Sequence, residues 1–319
     1  MNMFGNYLLM SIPLGITFLY GCVGEILTEK AGHLNLGIPG IMCMGGACGC
    51  LALKMMAGKN IPPALLVIIS ILAAFIGGML MGLIYSFLTV TLKSNQNVTG
   101  LAMTTFGVGA TKYFMSGMSK TAQLDYLYAR KYFLFPFEKS NNNMQYWGVM
   151  VFLAIIISIV AAFVLSRTRI GLHLRSIGEN PATADAVGIN VSLYKYSATC
   201  IGSGIAALGG LFYIMDYSGS VDAYKTIEAL GWLAVALVIF TLWKPMISII
   251  GSIIFGMLYL AGAYIPTILG IKLEMSAKPF FQMLPYVVTI IVLIITSIRK
   301  KKENQPPASL GLSYFREDR

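Results

Sequence analysis

The chain has 319 residues, 57% of them hydrophobic and only 11% charged, with a mean hydropathy of +0.74 and a formal net charge of +10. Soluble domains carry about 25% charged residues, so this chain has too few to cover a water-facing surface. A soluble globular fold, a disordered chain and a disulfide scaffold are excluded, and a bilayer is the remaining solvent.

The first residues, MNMFGNYLLM, carry no basic n-region and read as the start of a first membrane span, not a cleaved signal peptide. Segments free of Asp, Glu, Lys, Arg and His then run over 1–24, 34–53, 60–92, 94–111, 140–166, 196–215, 229–243, 245–271 and 279–298. A spanning helix needs about 20 apolar residues, and 1–24, 60–92, 140–166, 196–215, 245–271 and 279–298 satisfy this outright. The other three are irregular. Segment 34–53 holds Gly37, Pro39, Gly40, Gly45, Gly46 and Gly49, 94–111 starts polar, and 229–243 is short. Interrupted segments of this kind form broken or re-entrant helices that line a substrate path. The expected fold is an all-α polytopic membrane protein of eight to ten transmembrane helices, nine being the preferred count, with a membrane domain over 1–298 and a basic tail over 299–319.

Small residues recur at helix-contact spacing: Gly78 and Gly82, Ala206 and Gly210, Ser252 and Gly256. They permit close helix approach, here expected within one bundle in preference to a dimer interface. Cys22, Cys43, Cys48, Cys50 and Cys200 lie in apolar stretches without a C-x-x-C pair and read as small buried hydrophobes. His33 and His173 have no companion ligands that suggest a metal. Glu25, Asp216 and Glu228 fall at segment edges, where an interfacial position is expected; with no carboxylate inside a segment, proton-driven transport is disfavoured.

The densest basic clusters are Arg167, Arg169, Arg175 and Lys195 around the 167–195 loop, and Arg299, Lys300, Lys301 and Lys302 after the last segment. The positive-inside tendency places both, and hence the C-terminus, in the cytoplasm. Lys112, Lys120, Arg130, Lys131 and Lys139 in an outer segment dilute this bias. Cations in these positions suit anionic lipid, not nucleic acid.

The 167–195 loop contains a short helix written in small residues. Asn180 fits an N-cap, Pro181 the first helical position and Gly188 the left-handed stop. Such a helix can enter a groove on a partner and transmit rigid-body motion; a surface helix without a partner fits the residues equally well. No G-x-x-x-x-G-K-[ST] phosphate loop occurs, so the chain does not itself hydrolyse ATP by that device, and no catalytic or metal-ligand constellation stands out. Asn35, Asn97, Thr99, Thr104, Thr105 and Phe106 place hydrogen-bonding and stacking groups in the two irregular segments of the first half. They suit a translocation path or, equally, bonding between helices.

Three separated stretches carry a family resemblance: Gly24-Glu25 through Asn35-Leu36-Gly37 to Pro39-Gly40; Gly178-Glu179-Asn180-Pro181 through Ala184-Asp185 to Gly188-Ile189; and Pro306-Pro307-Ala308-Ser309-Leu310-Gly311 to Glu317. Gly231-Trp232 to Trp243-Lys244-Pro245 also fits. In this order, over about 12–317, they resemble permease subunits of ATP-binding-cassette importers in the branch shared by ribose and branched-chain amino-acid permeases, nucleoside type. Pro39 departs from the pattern, standing where nucleoside-type members usually carry glutamate.

The resemblance implies a bacterial cell-membrane permease, not an enzyme, that imports nucleosides or related small solutes, with riboflavin, a purine base or a simple sugar as alternative cargo. It implies a cytoplasmic ATPase that binds ATP and Mg2+, a second permease subunit, related or identical, an extracellular or periplasmic substrate-binding lipoprotein, and no cofactor in this chain. Glu179, Asn180, Pro181, Ala184, Asp185 and Gly188 would contact the ATPase. A channel or secondary transporter that needs no ATPase is the alternative of another class.

Overall fold

A chain this apolar must bond its backbone internally in lipid, and helices do so within one segment. The computed structural model describes residues 3–56, 59, 61–118, 133, 148–268, 281, 283–299 and 305–315, and the regular structure among them is helical. The basic stretch from 119 to 147, apart from 133, and Lys300–Lys302 lie outside the described residues.

In chain order the helices are α1 (Met3–Lys30), α2 (Ile38–Met56), α3 (Pro63–Ser86), α4 (Gln96–Ser116), α5 (Val149–Arg167), α6 (Arg169–Glu179), α7 (Pro181–Ala186), α8 (Val191–Phe212), α9 (Ile227–Phe240), α10 (Pro245–Ile268) and α11 (Leu284–Arg299). Among the described residues seven stretches are long and apolar enough to cross a membrane: α1, α2, α3 with its extension to Thr91, α5, α8 with its extension to Ser218, Val221–Phe240, and Pro245–Pro266. Helix α4 has the length, 21 residues, but is too polar, and among the described residues α11 contributes a shorter apolar stretch, Leu284–Ile295.

Helices α1 and α8 form the centre. Their apolar windows are 78% and 83% buried, against 33% for α3, α5 and α10, whose exposed leucines and isoleucines suit lipid. Glycines let the central helices meet backbone to backbone. A Cβ on Gly24 of α1 would overlap the carbonyl oxygen of Gly202 on α8, and one on Gly202 would overlap that of Gly24. The three small-residue pairs all pack inside the chain: Gly78 and Gly82 on Ser203 of α8, Ala206 on Gly24 with Gly210 on Met42, and Ser252 and Gly256 on α1 at Gly15 and Ser11.

The breaks expected within 34–53 and 94–111 are not there. Each segment is an uninterrupted helix past its first residues, α2 and α4. The α2 glycines serve packing instead: Gly40 faces Thr104, Gly45 faces Ala207, and Gly46 faces Ile214. Irregularity falls elsewhere. Helix α3 widens into a π turn at Phe87–Thr91 and α8 into another at Tyr213–Ser218, and a 3-10 turn, Val221–Thr226, leads into α9. Lys93, Leu242 and Trp243 have positive φ (54°, 55° and 55°), a conformation uncommon for residues with a Cβ.

Candidate functional site

The loop between α5 and α8 folds as two helices joined at Asn180. Thr168 caps α6 through a bond from the Gly171 amide to Oγ1 (3.2 Å). Asn180 then caps α7, its Oδ1 accepting from the Thr183 amide at 3.1 Å, with Pro181 at the first helical position. The helix stops in a Schellman motif: the Gly188 amide donates to the Asp185 carbonyl (3.0 Å) and the Ile189 amide to the Ala184 carbonyl (3.1 Å). Gly188 has φ +87° and no atom within 4 Å of a would-be Cβ, so its constraint is conformational, not steric.

Ala184 is 2% exposed and holds α7 to Ile177 and Val191. The opposite face is open. Glu179, Asn180, Thr183, Ala186 and Gly188 are exposed, and Val187 is 77% exposed. The structure thus gathers the six residues of the motif into one unit, in which Pro181 and Asp185 are half-buried and Ala184 is the anchor, not a contact surface. Val187, just before the helix-stop glycine, is the exposed apolar residue of this face.

The described part of the C-terminal tail, 305–315, packs across this unit. The Ser309 amide donates to the Gly178 carbonyl (2.9 Å) and its hydroxyl donates to the same oxygen (2.6 Å). Tyr314 OH donates to Asp185 Oδ2 (2.9 Å). Gln96 Nε2, at the start of α4, donates to the Leu312 carbonyl (3.2 Å), and Lys93 Nζ lies 4.4 Å above the Phe315 ring.

Beneath the tail, the turn over 31–37 connects these parts to the bundle. Leu34 donates its amide to Gln96 Oε1 (2.8 Å) and accepts from Tyr85 OH (2.7 Å). Asn35 donates its amide to Glu25 Oε1 (2.9 Å), while its own Oδ1 accepts from the Gly37 amide (2.9 Å). Leu36 accepts from Thr104 Oγ1 (2.7 Å), and His33 Nδ1 lies 3.2 Å from Thr199 Oγ1. One turn further along α1 than Glu25, Glu29 accepts from Trp243 Nε1.

Glu25 and Asp216 are enclosed by the bundle, both 0% exposed, and Glu29 is 3% exposed. The reason for Glu25 is local: the irregular turn presents a backbone amide that needs a buried acceptor.

Burial, and then the positive charge of Lys195, hold His33 well below the ordinary imidazole range. A depressed pKa means that folding favours the neutral ring. Its stabilisation is complete above the unfolded value, about 6.5, and is lost as pH falls below it. Thermal melting of the detergent-solubilised protein should therefore decline from pH 7 to pH 5, and His33→Asn should flatten that decline.

The six path candidates separate into two groups. Asn35, Thr99 and Thr104 are buried and bonded: Asn35 and Thr104 hold the turn, and Thr99 Oγ1 donates to the Asn95 carbonyl (2.8 Å). Asn97, Thr105 and Phe106 are exposed on one flank of α4 with Val98, Leu101 and Tyr113. Pro39, the departure from the family pattern, is buried in the first turn of α2, with Gly231 of α9 pressed against its Cα.

Residues 3–293 match the family described as branched-chain amino acid transport system permease component. Over 314 residues the chain is 31% identical to the nucleoside ABC transporter permease protein NupC of Lactococcus lactis subsp. cremoris, covering 91% of this chain and 90% of that protein. It is 28% identical to the putative glucose ABC transporter permease protein TsgC13 of Haloferax volcanii, covering 96% of each. It is also 28% identical to the guanosine ABC transporter permease protein NupQ of Bacillus subtilis, covering 90% of this chain and 89% of that one. With its apolar helices and its match over nearly all of the described bundle, the chain belongs to the branched-chain amino acid transport system permease family and is a multi-pass membrane permease component of an ATP-binding-cassette importer.

Proposed function

We propose that this permease imports nucleosides, with α7 as the element that receives the ATPase stroke. The observation that carries the mechanism is a short helix capped at both ends, anchored by Ala184 and open on the face of Asn180, Thr183, Ala186 and Val187. Its end of the bundle, with the tail, faces the cytoplasm in this reading. A push on α7 reaches α6 through Asn180, and the tail through Asp185–Tyr314. From the tail it reaches α4 through Leu312–Gln96, and the 31–37 turn relays it to Thr104.

Helix α4 then carries the path. It has the length to cross a bilayer, yet it exposes Asn97, whose side-chain amide lipid would leave unbonded; Thr105, on the same flank, donates its hydroxyl to the Leu101 carbonyl (3.1 Å). Its open flank is the surface that would face a second, related permease across the conduit, with Phe106 able to stack on a planar base. A separate binding lipoprotein delivers the cargo, and the partner ATPase holds ATP and Mg2+; this chain supplies neither a cofactor site nor catalysis. The nucleoside assignment rests on the relatives named for nucleoside and guanosine transport, and Pro39 in this reading is a packing residue outside the path.

Uptake of labelled guanosine in cells with and without the gene, competed by unlabelled uridine, riboflavin and glucose, tests the cargo. Loss on deletion, with competition by uridine and not glucose, is expected. Unchanged guanosine uptake in cells lacking redundant carriers, with lost glucose uptake, would reassign the cargo to a sugar. Gly188→Val tests the coupling: the left-handed stop becomes strained by about 1 kcal/mol, so the protein should remain folded while uptake falls severalfold. Unchanged uptake with normal ATPase association would remove α7 from the coupling role.

A further inference from the structure

Beside α7 lies a polar cavity of about 440 Å3 that the transport path does not use. Its walls come from the tail, the α7 stop, the first turn of α8 with Lys195, the end of α3 with Lys93, the start of α4, and His33. Its size is that of a small-molecule site.

Three features give it a sign. Lys195 is only 3% exposed, and among the described residues its ammonium has no hydrogen bond and no ion pair. A charge buried in this way is costly unless something pairs with it. The cavity also meets the N-terminus of the 22-residue α8, where Asn190 Oδ1 takes the Leu193 amide and the amides of Val191 and Ser192 have no helical acceptor. Lys93, set in the left-handed region by the chain reversal after α3, adds a second cation. Asp185 is the one carboxylate in the wall, and Tyr314 OH donates to it. His33 is kept neutral by its burial.

We infer that this cavity binds the phosphate group of a small phosphorylated ligand, with Lys195, Lys93 and the α8 N-terminus as its anion-binding groups. The phosphate belongs either to a soluble phosphorylated metabolite or to an anionic lipid headgroup at the end of the bundle. Either would tie the tail and the α7 stop to α3 and α8, and so stiffen the elements that move in coupling.

The full-length permease, purified with its ATPase partner in neutral detergent, is titrated with inorganic phosphate and with adenosine monophosphate at fixed ionic strength, followed by calorimetry and thermal melting. In parallel it is placed in phosphatidylcholine nanodiscs with and without phosphatidylglycerol. Saturable stabilisation by the soluble phosphates, or by phosphatidylglycerol alone, is expected, and the arm that responds names the source. Lys195→Met should weaken the response about tenfold or more, the loss of a charged hydrogen bond, and should raise the melting temperature of the unliganded protein by removing an unpaired charge. Lys195→Arg should retain the response, and Lys93→Met should weaken it severalfold, so the test does not depend on a single variant. A response equal in wild type and in Lys195→Met, equal for chloride and phosphate, or absent from both arms would overturn the inference.

Discussion

Gly210→Val should leave almost no folded permease in the membrane. A Cβ at position 210 would lie on the Met42 carbonyl oxygen, a backbone atom that cannot rotate away, and the nearest alternative neighbour is the Gly46 amide. Relief requires α2 and α8 to separate. That would also loosen the contact between Gly45 and Ala207 one turn away on the same interface. Overpacking of this kind costs about 3 kcal/mol or more, a large part of the 5–15 kcal/mol that holds a typical fold. Size-exclusion of detergent extracts should show aggregated or absent protein. Gly109→Val is the control: no atom lies within 4 Å of its would-be Cβ, so extraction and elution should match wild type. Normal elution of Gly210→Val would mean that α2 and α8 are not packed as described.

Glu29→Ala should be the next most damaging change. It removes the acceptor of the buried Trp243 Nε1–H and leaves that donor unpaired at the junction of α9 and α10, where Leu242 and Trp243 already hold positive φ. An orphaned buried donor costs about 1–3 kcal/mol, and loosening a strained turn adds to it. Glu29→Gln keeps an acceptor oxygen and should recover most of the loss. If alanine and glutamine melt alike, the Trp243 bond contributes nothing. If alanine melts like wild type, the junction is held by packing alone.

How much of this was legible depended on the range of the interactions. The spans follow from hydropathy, because lipid imposes one rule on every residue of a long helix. The α7 unit follows from Asn180, Pro181 and Gly188, because caps act within a few residues of themselves. Glycine-rich 34–53 misled, since a glycine that breaks a helix and one that admits a neighbouring backbone look alike in one dimension: Gly45 and Gly46 do the second. The burial of Glu25 was hidden because its partner, the Asn35 amide, is a main-chain group that no residue type announces. The tail's role was hidden for another reason. Ser309 bonds Gly178 from 131 residues away, and Gln96 meets Leu312 across 216. The cavity at Lys195 is assembled from four separate chain segments and has no sequence signature at all.

The most direct test of the coupling assignment is site-specific photocross-linking from position 187. A benzophenone amino acid in place of Val187, the most exposed apolar side chain of the α7 unit, should link the permease to the copurified ATPase in a single product whose yield changes with ATP. The same probe in place of Asp222, about 40 Å away at the far end of α8 by helix rise, should give none. No ATPase adduct from 187, or equal adducts from 187 and 222, would contradict the assignment of α7 as the element through which ATP hydrolysis reaches the membrane helices.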